Sequence, residues 1–400
     1  MALGISYRAR RITPSPTLSI SAKAKEMRNA GVDVIDLSVG EPDFDTPMRI
    51  KNAAVEAIMK GFTKYTPASG IPELREAVAE KLERENGLRY DPSEIVISCG
   101  AKHVLANIFQ AICDDGDEVI IISPYWASYA EQVRLANGIP VFVEAREEDM
   151  FVPDPDLIRA KVSGRTKAIL VNSPCNPTGA VYGEDVLEEI GRIGVENEVY
   201  IISDEIYEKI VYDGVKVRSM ASLGEDVKER TILVNGVSKT YAMTGWRIGY
   251  AAGPKEIISA IANIQSQTTS NPTSIAQFAA LEAIRGDDGS EARMMVEEFA
   301  RRRKAIVEGL RRIPGISVCE PKGAFYVFPN FSSFIGRKAG GRVLESSTDI
   351  SQYLLERAAV ATVPGADFGS DSHIRFSFAA SIERIEEGIE RVSKALDSLD

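Results

Sequence analysis

Between residues 94 and 252 the chain alternates short apolar runs with helix-like patterns, and this alternation restricts the fold more than any other feature. Apolar runs that are continuous, rather than alternating with polar residues, are typical of parallel strands buried on both faces of a sheet. The helix-like stretches between them include residues 102–112 and 183–195. The pattern therefore predicts an α/β fold with a mostly parallel seven-stranded sheet flanked by helices. The seven runs are 94–98, 118–122, 140–143, 168–172, 199–203, 231–234 and 248–252.

The pattern changes at about residue 291, which predicts a second, smaller α+β domain. A long charged helical pattern begins there, and short strand-like runs follow at 324–328, 359–363 and 373–378. The last helical pattern has the spacing of a single apolar helix face, formed by Ile382, Ile385, Ile389, Val392 and Leu396.

We predict three parts of the chain from these changes. Residues 1–48 form an N-terminal arm and part of the small domain, residues 49–290 the large domain, and residues 291–400 the C-terminal small domain. The segment 334–349 is rich in glycine and charge, and we predict a mobile loop there.

Charge and cysteine content restrict the partners and the location. A net charge of −11 argues against a nucleic acid or an anionic membrane as partner, because both are bound through basic surfaces. No apolar run approaches the roughly 18 residues of a membrane-spanning helix, and the first residues lack the apolar region of a signal peptide. The four cysteines form no C-x-x-C pair, which favours free thiols in a reducing compartment. We therefore expect a cytoplasmic protein that binds neither nucleic acid nor membranes.

Histidine is scarce, and this restricts the chemistry. His103 and His373 are the only two histidines, and neither lies in a zinc-binding or serine-hydrolase motif. We predict no metal site. The chemistry is left to lysine, carboxylates or a bound cofactor.

Polar residues follow several of the predicted strands, at the edge where parallel sheets bind ligands. Taken singly, each has an ordinary explanation: Asp204 as a helix N-cap, Asn176 in a turn and Lys239 as a solvated side chain. The occurrence of such residues after five different strands is not explained in that way. The group comprises Gly100, Ala101, Lys102, Trp126, Asn176, Asp204, Tyr207, Ser238, Lys239 and Arg247.

This combination suits pyridoxal 5′-phosphate (PLP). The PLP aldehyde needs a lysine to form an imine, and the pyridine nitrogen needs a carboxylate partner to stay protonated. The phosphate needs a cation and backbone N–H donors, which a helix start provides. The ring needs a flat surface to pack against, and its 3′-oxygen needs a hydrogen-bond donor.

Three motifs carry a resemblance to a known family: N-x-P-x-N-P-T-G at 172–179, S-D-E-I-Y at 203–207 and S-K-T-Y-A-M-T-G-W-R-I-G-Y at 238–250. With them the chain resembles the PLP-dependent, fold-type I aminotransferases of class I/II over nearly its whole length. The segments GEPDFDTP, KYTPASGIPELREA and SPYWASY are most similar to the bacterial and archaeal-type aspartate aminotransferases, in their aspartate/prephenate branch.

The resemblance implies a role for each residue of the cofactor site. Lys239 bonds the aldehyde and moves the proton during the reaction, and Asp204 pairs with the pyridine nitrogen. Tyr207 and Asn176 bond the 3′-oxygen, and Trp126 packs on the ring. The phosphate is implied to lie among Gly100, Ala101, Lys102, Ser238, Arg247 and, from the neighbouring subunit of a homodimer, Tyr65.

The resemblance also implies the substrate contacts. Arg375 binds the α-carboxylate, and Gly40, Trp126 and Asn176 line the substrate pocket. Lys102 and Thr17 match residues that bind a distal carboxylate, which implies aspartate and glutamate with oxaloacetate and 2-oxoglutarate as substrates in a ping-pong reaction. The same pair accompanies use of prephenate, so prephenate is a second expected acceptor.

Three alternatives remain open at this point. The chain has the residues expected of an aminotransferase of aromatic or other neutral amino acids, or of a PLP-dependent C–S β-lyase on the same fold. A non-catalytic binding or regulatory relative is the third.

The chain departs from the family pattern at one position near the phosphate. Some relatives carry a hydroxyl residue where this chain has Gly236, which implies one side-chain donor fewer for the phosphate here.

Overall fold

The structure, a computed structural model, describes residues 4–10, 12 and 16–400, without the side chains of residues 7, 8, 16–19 and 21. Fourteen strands occur in the described part of the chain. They are β1 (Ile35–Asp36), β2 (Ile95–Ser98), β3 (Glu118–Ser123), β4 (Ile139–Glu144), β5 (Thr166–Asn172), β6 (Tyr200–Asp204), β7 (Thr231–Gly236), β8 (Gly249–Ala252), β9 (Tyr326–Val327), β10 (Lys338–Ala339), β11 (Arg342–Val343), β12 (Val360–Ala361), β13 (Val363–Pro364) and β14 (Ile374–Ser377).

Fourteen α-helices are described along the same residues. They are α1 (Tyr7–Arg10), α2 (Pro16–Asn29), α3 (Met48–Met59), α4 (Pro72–Asn86), α5 (Ala101–Ile112), α6 (Ser128–Leu135), α7 (Pro155–Lys161), α8 (Glu184–Glu196), α9 (Glu225–Lys228), α10 (Lys255–Thr268), α11 (Ser274–Arg285), α12 (Ser290–Arg311), α13 (Ser347–Tyr353) and α14 (Ile382–Asp397). None of the helices in residues 4–10, 12 and 16–400 is long and apolar enough to span a membrane.

The central sheet has seven strands in the order β2-β8-β7-β6-β5-β3-β4. Only β8 runs antiparallel to its neighbours, β2 and β7, and the other pairs are parallel. The seven apolar runs of the sequence all lie in this sheet, so the predicted α/β fold with a mostly parallel seven-stranded sheet is confirmed.

Helices cover both faces of the sheet because successive side chains of each strand point to opposite sides. Val96, for example, packs in a core with α5, α6 and α10, whereas Ile97 packs on the other side with α3, α4 and α11. A burial of this kind on both sides is the reason why the strands are continuously apolar.

The C-terminal residues form a separate small antiparallel sheet, β13-β14-β9, with α12 and α14 packed beside it. The predicted apolar stripe of α14 is buried at Ile385, Ile389, Val392 and Leu396. The N-terminal strand β1 pairs in parallel with β12, so residues near position 35 belong to the same packing unit as residues near 360. The predicted division of the chain at residues 48 and 290 stays a prediction.

The prediction of a loop at 334–349 is wrong, because this segment contains regular secondary structure. The antiparallel pair β10–β11 lies there, and α13 starts at its end with the Ser346 hydroxyl accepting a hydrogen bond from the Asp349 N–H. Gly340 and Gly341 have φ angles of 55° and 89°, which a tight turn requires and other residues rarely adopt. Leu344 is buried and attaches the hairpin to the core.

Candidate active site

A cavity of about 470 Å³ opens where the carboxyl ends of β5, β6 and β7 meet the C-terminal sheet. Its size lies within the range of pockets that hold a cofactor or a small substrate. Three distant parts of the chain contribute to the wall: residues 39–41, the strand ends of the central sheet, and Tyr326, Phe368 and Arg375.

Most of the residues predicted from the sequence lie around this cavity. Those in its wall are Gly40, Ala101, Lys102, Trp126, Asn176, Asp204, Tyr207, Ser238, Lys239, Arg247 and Arg375. Gly100 lies beside it, next to Arg247. Tyr65 does not contribute to it and is 90% exposed. The side chain of Thr17 lies outside the described residues. The roles of all these residues stay predictions.

Lys239 follows the end of β7 and points its amine into the cavity. Its Nζ donates a hydrogen bond to the carbonyl oxygen of Gly40 at 2.6 Å. Burial lowers the pKa of Lys239 to about 8, and the positive charges of Arg375 and Arg247 act in the same direction. A larger share of the amine is therefore neutral near neutral pH than for an exposed lysine, and the neutral amine is the nucleophilic form.

Asp204 is the last residue of β6 and is almost fully buried. The Tyr129 hydroxyl donates to its Oδ2 at 2.7 Å, and the Ile206 N–H donates to its Oδ1 at 3.2 Å. Burial raises the pKa of Asp204 to about 6, although both hydrogen bonds oppose the increase. At pH 7 the group is mostly a buried carboxylate, which suits a cationic partner in the cavity.

Arg375 lies in β14 and is buried, yet it is not paired with a carboxylate in the described structure. Its Nη1 donates to Asn176 Oδ1 at 3.1 Å, and its Nη2 donates to the Ser38 carbonyl oxygen at 2.7 Å. Its Nε is buried and has no hydrogen-bond partner among the described residues. A buried guanidinium with unused donors at a cavity wall is suited to a carboxylate ligand.

Two tyrosine hydroxyl groups meet next to this arginine. The hydroxyl of Tyr207 lies 2.9 Å from the hydroxyl of Tyr326. Burial raises the pKa of Tyr207 well above its ordinary value, so this side chain stays protonated and remains a hydrogen-bond donor.

Groups suited to an anion lie together where α5 begins. The first N–H groups of a helix have no partner within it, so Ala101 offers a backbone donor there. Gly100 has a φ of 87°, and a Cβ at this position would lie 2.5 Å from Arg247 Nη2. Glycine therefore allows the guanidinium to approach the helix start. This arrangement, with Ser238 at the same wall, fits a phosphate group.

Lys102 lies at the edge of this site, one residue into α5. Its Nζ is 4.8 Å from the centre of the Trp126 ring. Burial and the charge of Arg247 lower the pKa of Lys102. A cation held over an aromatic ring at the cavity wall is placed to meet a negatively charged ligand.

Several residues at the site were not found from the sequence, among them Ser38, Tyr129, Tyr326 and Phe368. Tyr129 is part of the segment SPYWASY and Tyr326 lies in an apolar strand, but neither position carries a signal for its partner. The partners Asp204 and Tyr207 are 75 and 119 residues away along the chain. Such contacts follow from the folded structure and not from a local pattern.

Comparisons with known proteins identify the family. The sequence profile of the family "Aminotransferase class I and II" matches residues 32–392. The chain is 51% identical to the "Probable aspartate/prephenate aminotransferase" of Aquifex aeolicus, with all of both chains covered. It is 48% identical to the "Aspartate/prephenate aminotransferase" of Thermus thermophilus, over 98% of this chain and 99% of the relative.

Solved structures give the same result. The aspartate aminotransferase from Thermus thermophilus with maleate matches with a TM-score of 0.92 at 47% identity, over 98% of this chain and 100% of that chain. The aspartate aminotransferase from Rhizobium meliloti matches with a TM-score of 0.95 at 43% identity, over 100% of both chains.

Proposed function

Since this chain belongs to the aminotransferase class I and II family, we propose that it is a PLP-dependent transaminase for dicarboxylic substrates. In this reaction an amino group moves between aspartate or glutamate and oxaloacetate or 2-oxoglutarate by a ping-pong mechanism. The observation that carries the proposal is the meeting of Lys239, Asp204 and Arg375 at one cavity. These groups supply an amine of lowered pKa, a buried carboxylate and a buried cation with a free donor.

The residues present fit PLP at each of its polar groups. Asp204 is proposed to pair with the pyridine nitrogen, because it is a buried carboxylate without a cationic partner in the described structure. Ala101, Ser238 and Arg247 are proposed to hold the phosphate at the start of α5. Trp126 provides the flat surface. When bound here, PLP supplies an electron sink that makes the α-hydrogen of an amino acid acidic.

Asn176 and Tyr207 are proposed to donate to the 3′-oxygen of the cofactor. Asn176 Oδ1 already accepts a hydrogen bond from Arg375, so its Nδ2 is the atom left to donate into the cavity. The Tyr207 hydroxyl keeps its proton because of burial. Lys239 is proposed to bond the aldehyde, to take the proton from the substrate α-carbon and to return it. Its pKa of about 8 suits both proton transfers near neutral pH.

Substrate recognition is proposed to depend on two cations at different distances from the reacting carbon. Arg375 binds the α-carboxylate with its free donors. Lys102, together with Thr17, binds the distal carboxylate of a dicarboxylic acid. Prephenate also carries two carboxylates, and the names of the relatives from Aquifex aeolicus and Thermus thermophilus support it as a second acceptor.

A homodimer with shared active sites is part of the proposal. Helix α3 exposes four large apolar side chains, Met48, Val55, Ile58 and Met59, and Met59 is 82% exposed. Tyr65 follows α3 and is 90% exposed. A second copy packed on this surface buries the apolar residues and brings Tyr65 to the phosphate of the neighbouring subunit.

The large domain is proposed to bind the cofactor, with residues 1–48 and 291–400 acting as the small domain beside the cavity. A cytoplasmic location is supported by the free thiols of all four cysteines.

The experiment that tests the function compares the wild type, Lys239→Ala and a control, Lys394→Ala, whose lysine is exposed on α14. After incubation with PLP, the wild type and the control are expected to show a visible absorbance band that changes on addition of aspartate. Lys239→Ala is expected to lose both the band and turnover. If Lys239→Ala kept the band and full turnover, the proposal would be wrong. Release of ammonia from cystathionine without a keto-acid acceptor would instead favour a lyase.

A further inference from the structure

We infer that Tyr326 is a positioning residue that controls both Tyr207 and Arg375, so that one side chain links the cofactor side of the cavity to the substrate side. The inference rests on the function proposed above. Tyr326 starts β9 and is 1% exposed. It belongs to the C-terminal part of the chain, whereas Tyr207 follows β6 of the central sheet.

The hydroxyl of Tyr326 controls the direction of the Tyr207 proton. The two hydroxyl oxygens are 2.9 Å apart, and Tyr207 has a single proton to donate. When Tyr326 donates to Tyr207, the Tyr207 proton is free to point into the cavity, towards the proposed 3′-oxygen. Donation from Tyr326 also polarises the Tyr207 hydroxyl and makes it a stronger donor.

The ring of Tyr326 acts on Arg375. The guanidinium carbon of Arg375 lies 4.5 Å from the centre of the Tyr326 ring and 5.0 Å from the centre of the Phe368 ring. These two rings keep the planar group in place, while Ser38 and Asn176 hold two of its nitrogens. The cation–π contact with Tyr326 therefore fixes the orientation in which Arg375 meets a carboxylate.

A third contact connects Tyr326 to the backbone near Lys239. A Cβ at Gly40 would lie 3.0 Å from the Tyr326 hydroxyl oxygen, so the tyrosine fills the space beside this glycine. The carbonyl of Gly40 is the acceptor for the Lys239 amine. Tyr326 thus borders groups proposed for the cofactor, the substrate and the reacting lysine.

The two functions of Tyr326 are separable, because one belongs to its hydroxyl and the other to its ring. Tyr326→Phe removes the hydroxyl and keeps the ring, whereas Tyr326→Leu removes both. A proton shared between Lys239 and the cofactor 3′-oxygen leaves more readily when a donor binds that oxygen. Loss of the Tyr326 hydroxyl is therefore expected to raise the pH at which this proton leaves.

The first measurement is a pH titration of the visible absorbance of the PLP-loaded protein, which does not depend on turnover. Tyr326→Phe is expected to raise the midpoint by roughly 0.4–1 pH unit, the effect of one neutral hydrogen bond. Tyr207→Phe is expected to raise it further. The double variant Tyr207→Phe/Tyr326→Phe is expected to match Tyr207→Phe alone, because Tyr326 acts through Tyr207.

The second measurement is the dissociation constant of maleate, a dicarboxylate that resembles the substrate. Tyr326→Leu is expected to weaken maleate binding by roughly 3- to 30-fold, the range of a desolvated cation–π contact. Tyr326→Phe is expected to change it by less than about twofold, because the ring is retained. Tyr353→Phe is the control: it removes another buried hydroxyl, which is bonded to the Ala395 carbonyl oxygen and does not line the cavity. It is expected to leave both measurements unchanged.

The outcomes separate the inference from the proposed function. A shift for Tyr207→Phe, with none for Tyr326→Phe and unchanged maleate binding for Tyr326→Leu, overturns the inference and leaves the proposed function intact. A wild type without any titrating band overturns the proposed function and the inference with it. Additive shifts in the double variant overturn the action of Tyr326 through Tyr207.

Discussion

Among single residues, Lys239 is one whose burial at the site lowers the stability of the folded protein. Its amine is buried and has the Gly40 carbonyl as its hydrogen-bond partner. The pKa of about 8, against an ordinary value of 10.5, means that the folded protein disfavours the charged amine that the unfolded chain carries. Between these two pH values the unfolded state binds more protons, so stability rises as the pH increases.

We therefore predict that Lys239→Met stabilises the cofactor-free protein at pH 7. The pKa difference corresponds to about 3 kcal/mol, and loss of the hydrogen bond to Gly40 removes about 1 kcal/mol of this gain. A net gain of about 2 kcal/mol in the free energy of unfolding is expected from these two terms. The gain should decrease as the pH rises from 8 to 10.5. Chemical unfolding of both proteins at equal concentration, across this pH range, measures it. A constant difference at every pH would contradict the explanation.

Lys102 is the residue on which the choice of substrate is proposed to depend. Lys102→Ala is expected to lower kcat/KM for aspartate by roughly ten- to a hundredfold, because a charge-assisted contact is worth roughly 1.5–3 kcal/mol. Alanine and phenylalanine lack a distal carboxylate, so their values are expected to change little. The visible absorbance band is expected to persist, since Ala101 and Arg247 hold the phosphate in the proposed site.

Comparison of acidic with neutral substrates is the internal control of that experiment. Equal losses for both classes would mean that Lys102 serves the cofactor and not the choice of substrate. Specificity for aspartate would then lose its main structural support.

The candidate reacting groups are easier to identify from the sequence than the groups that hold them in position. Lys239, Asp204 and Asn176 occur in short motifs directly after strands, where the chemistry of PLP gives a reason for each. Tyr129 and Tyr326 contact the reacting groups from other elements, and their spacing along the chain contains no trace of these contacts. Their identification requires the packing of α6 and β9 against the central sheet.

At the scale of elements, the pairing of β7 with β8 explains why residue 236 is glycine. Gly236 lies opposite Gly249 in this antiparallel pair. A Cβ on Gly236 would lie 2.8 Å from the Cα of Gly249 and 2.9 Å from the Ile248 carbonyl oxygen. The close packing of these two strands therefore leaves no room for a side chain at position 236.

We predict that Gly236→Ala destabilises the protein by about 1–3 kcal/mol, the usual cost of overpacking a tightly packed position. Gly164→Ala is the matched control, because nothing lies within 4 Å of a Cβ there; it is expected to change stability by about 0.5 kcal/mol or less. Both are measured by chemical unfolding. Equal stability of the two variants would show that β7 and β8 accommodate the added methyl group without a loss in the free energy of unfolding.

Element boundaries were predictable where the strands are apolar throughout and less so where turns decide them. The run at 118–122 becomes β3, which ends one residue later at Ser123. The short strands β10 and β11 were not predicted, because Lys338, Ala339, Arg342 and Val343 have no apolar alternation to mark them. Their pairing depends on the two glycines of the turn and on the burial of Leu344.

At the scale of the whole molecule, the outward side of α3 predicts an interface. Met59→Glu places a charge in this apolar surface and is expected to raise the dissociation constant of the homodimer by roughly tenfold or more. The affinity for PLP is expected to fall as well, because the monomer lacks the neighbouring Tyr65. Light scattering and titration of the cofactor-free protein with PLP measure the two effects.

Leu157→Glu is the matched control for this change. Leu157 is 47% exposed on α7, which packs against α8 and β4 and not against α3. It is expected to leave the dimer intact. A dimer of Met59→Glu that is as stable as the control would exclude α3 from the interface.

The pairing of β1 with β12 also has a consequence for synthesis on the ribosome. Ile35 and Asp36 are made more than 300 residues before their partners, Val360 and Ala361. At synthesis rates of roughly 5–20 residues per second, more than 300 residues of elongation take roughly 15–65 seconds. Throughout this time the first strand is without its partner, while the central sheet, complete at Ala252, has all its strands available. The nascent chain therefore holds a complete central sheet well before it holds every part of the cavity wall, and Arg375 is added to that wall only after the sheet has been made.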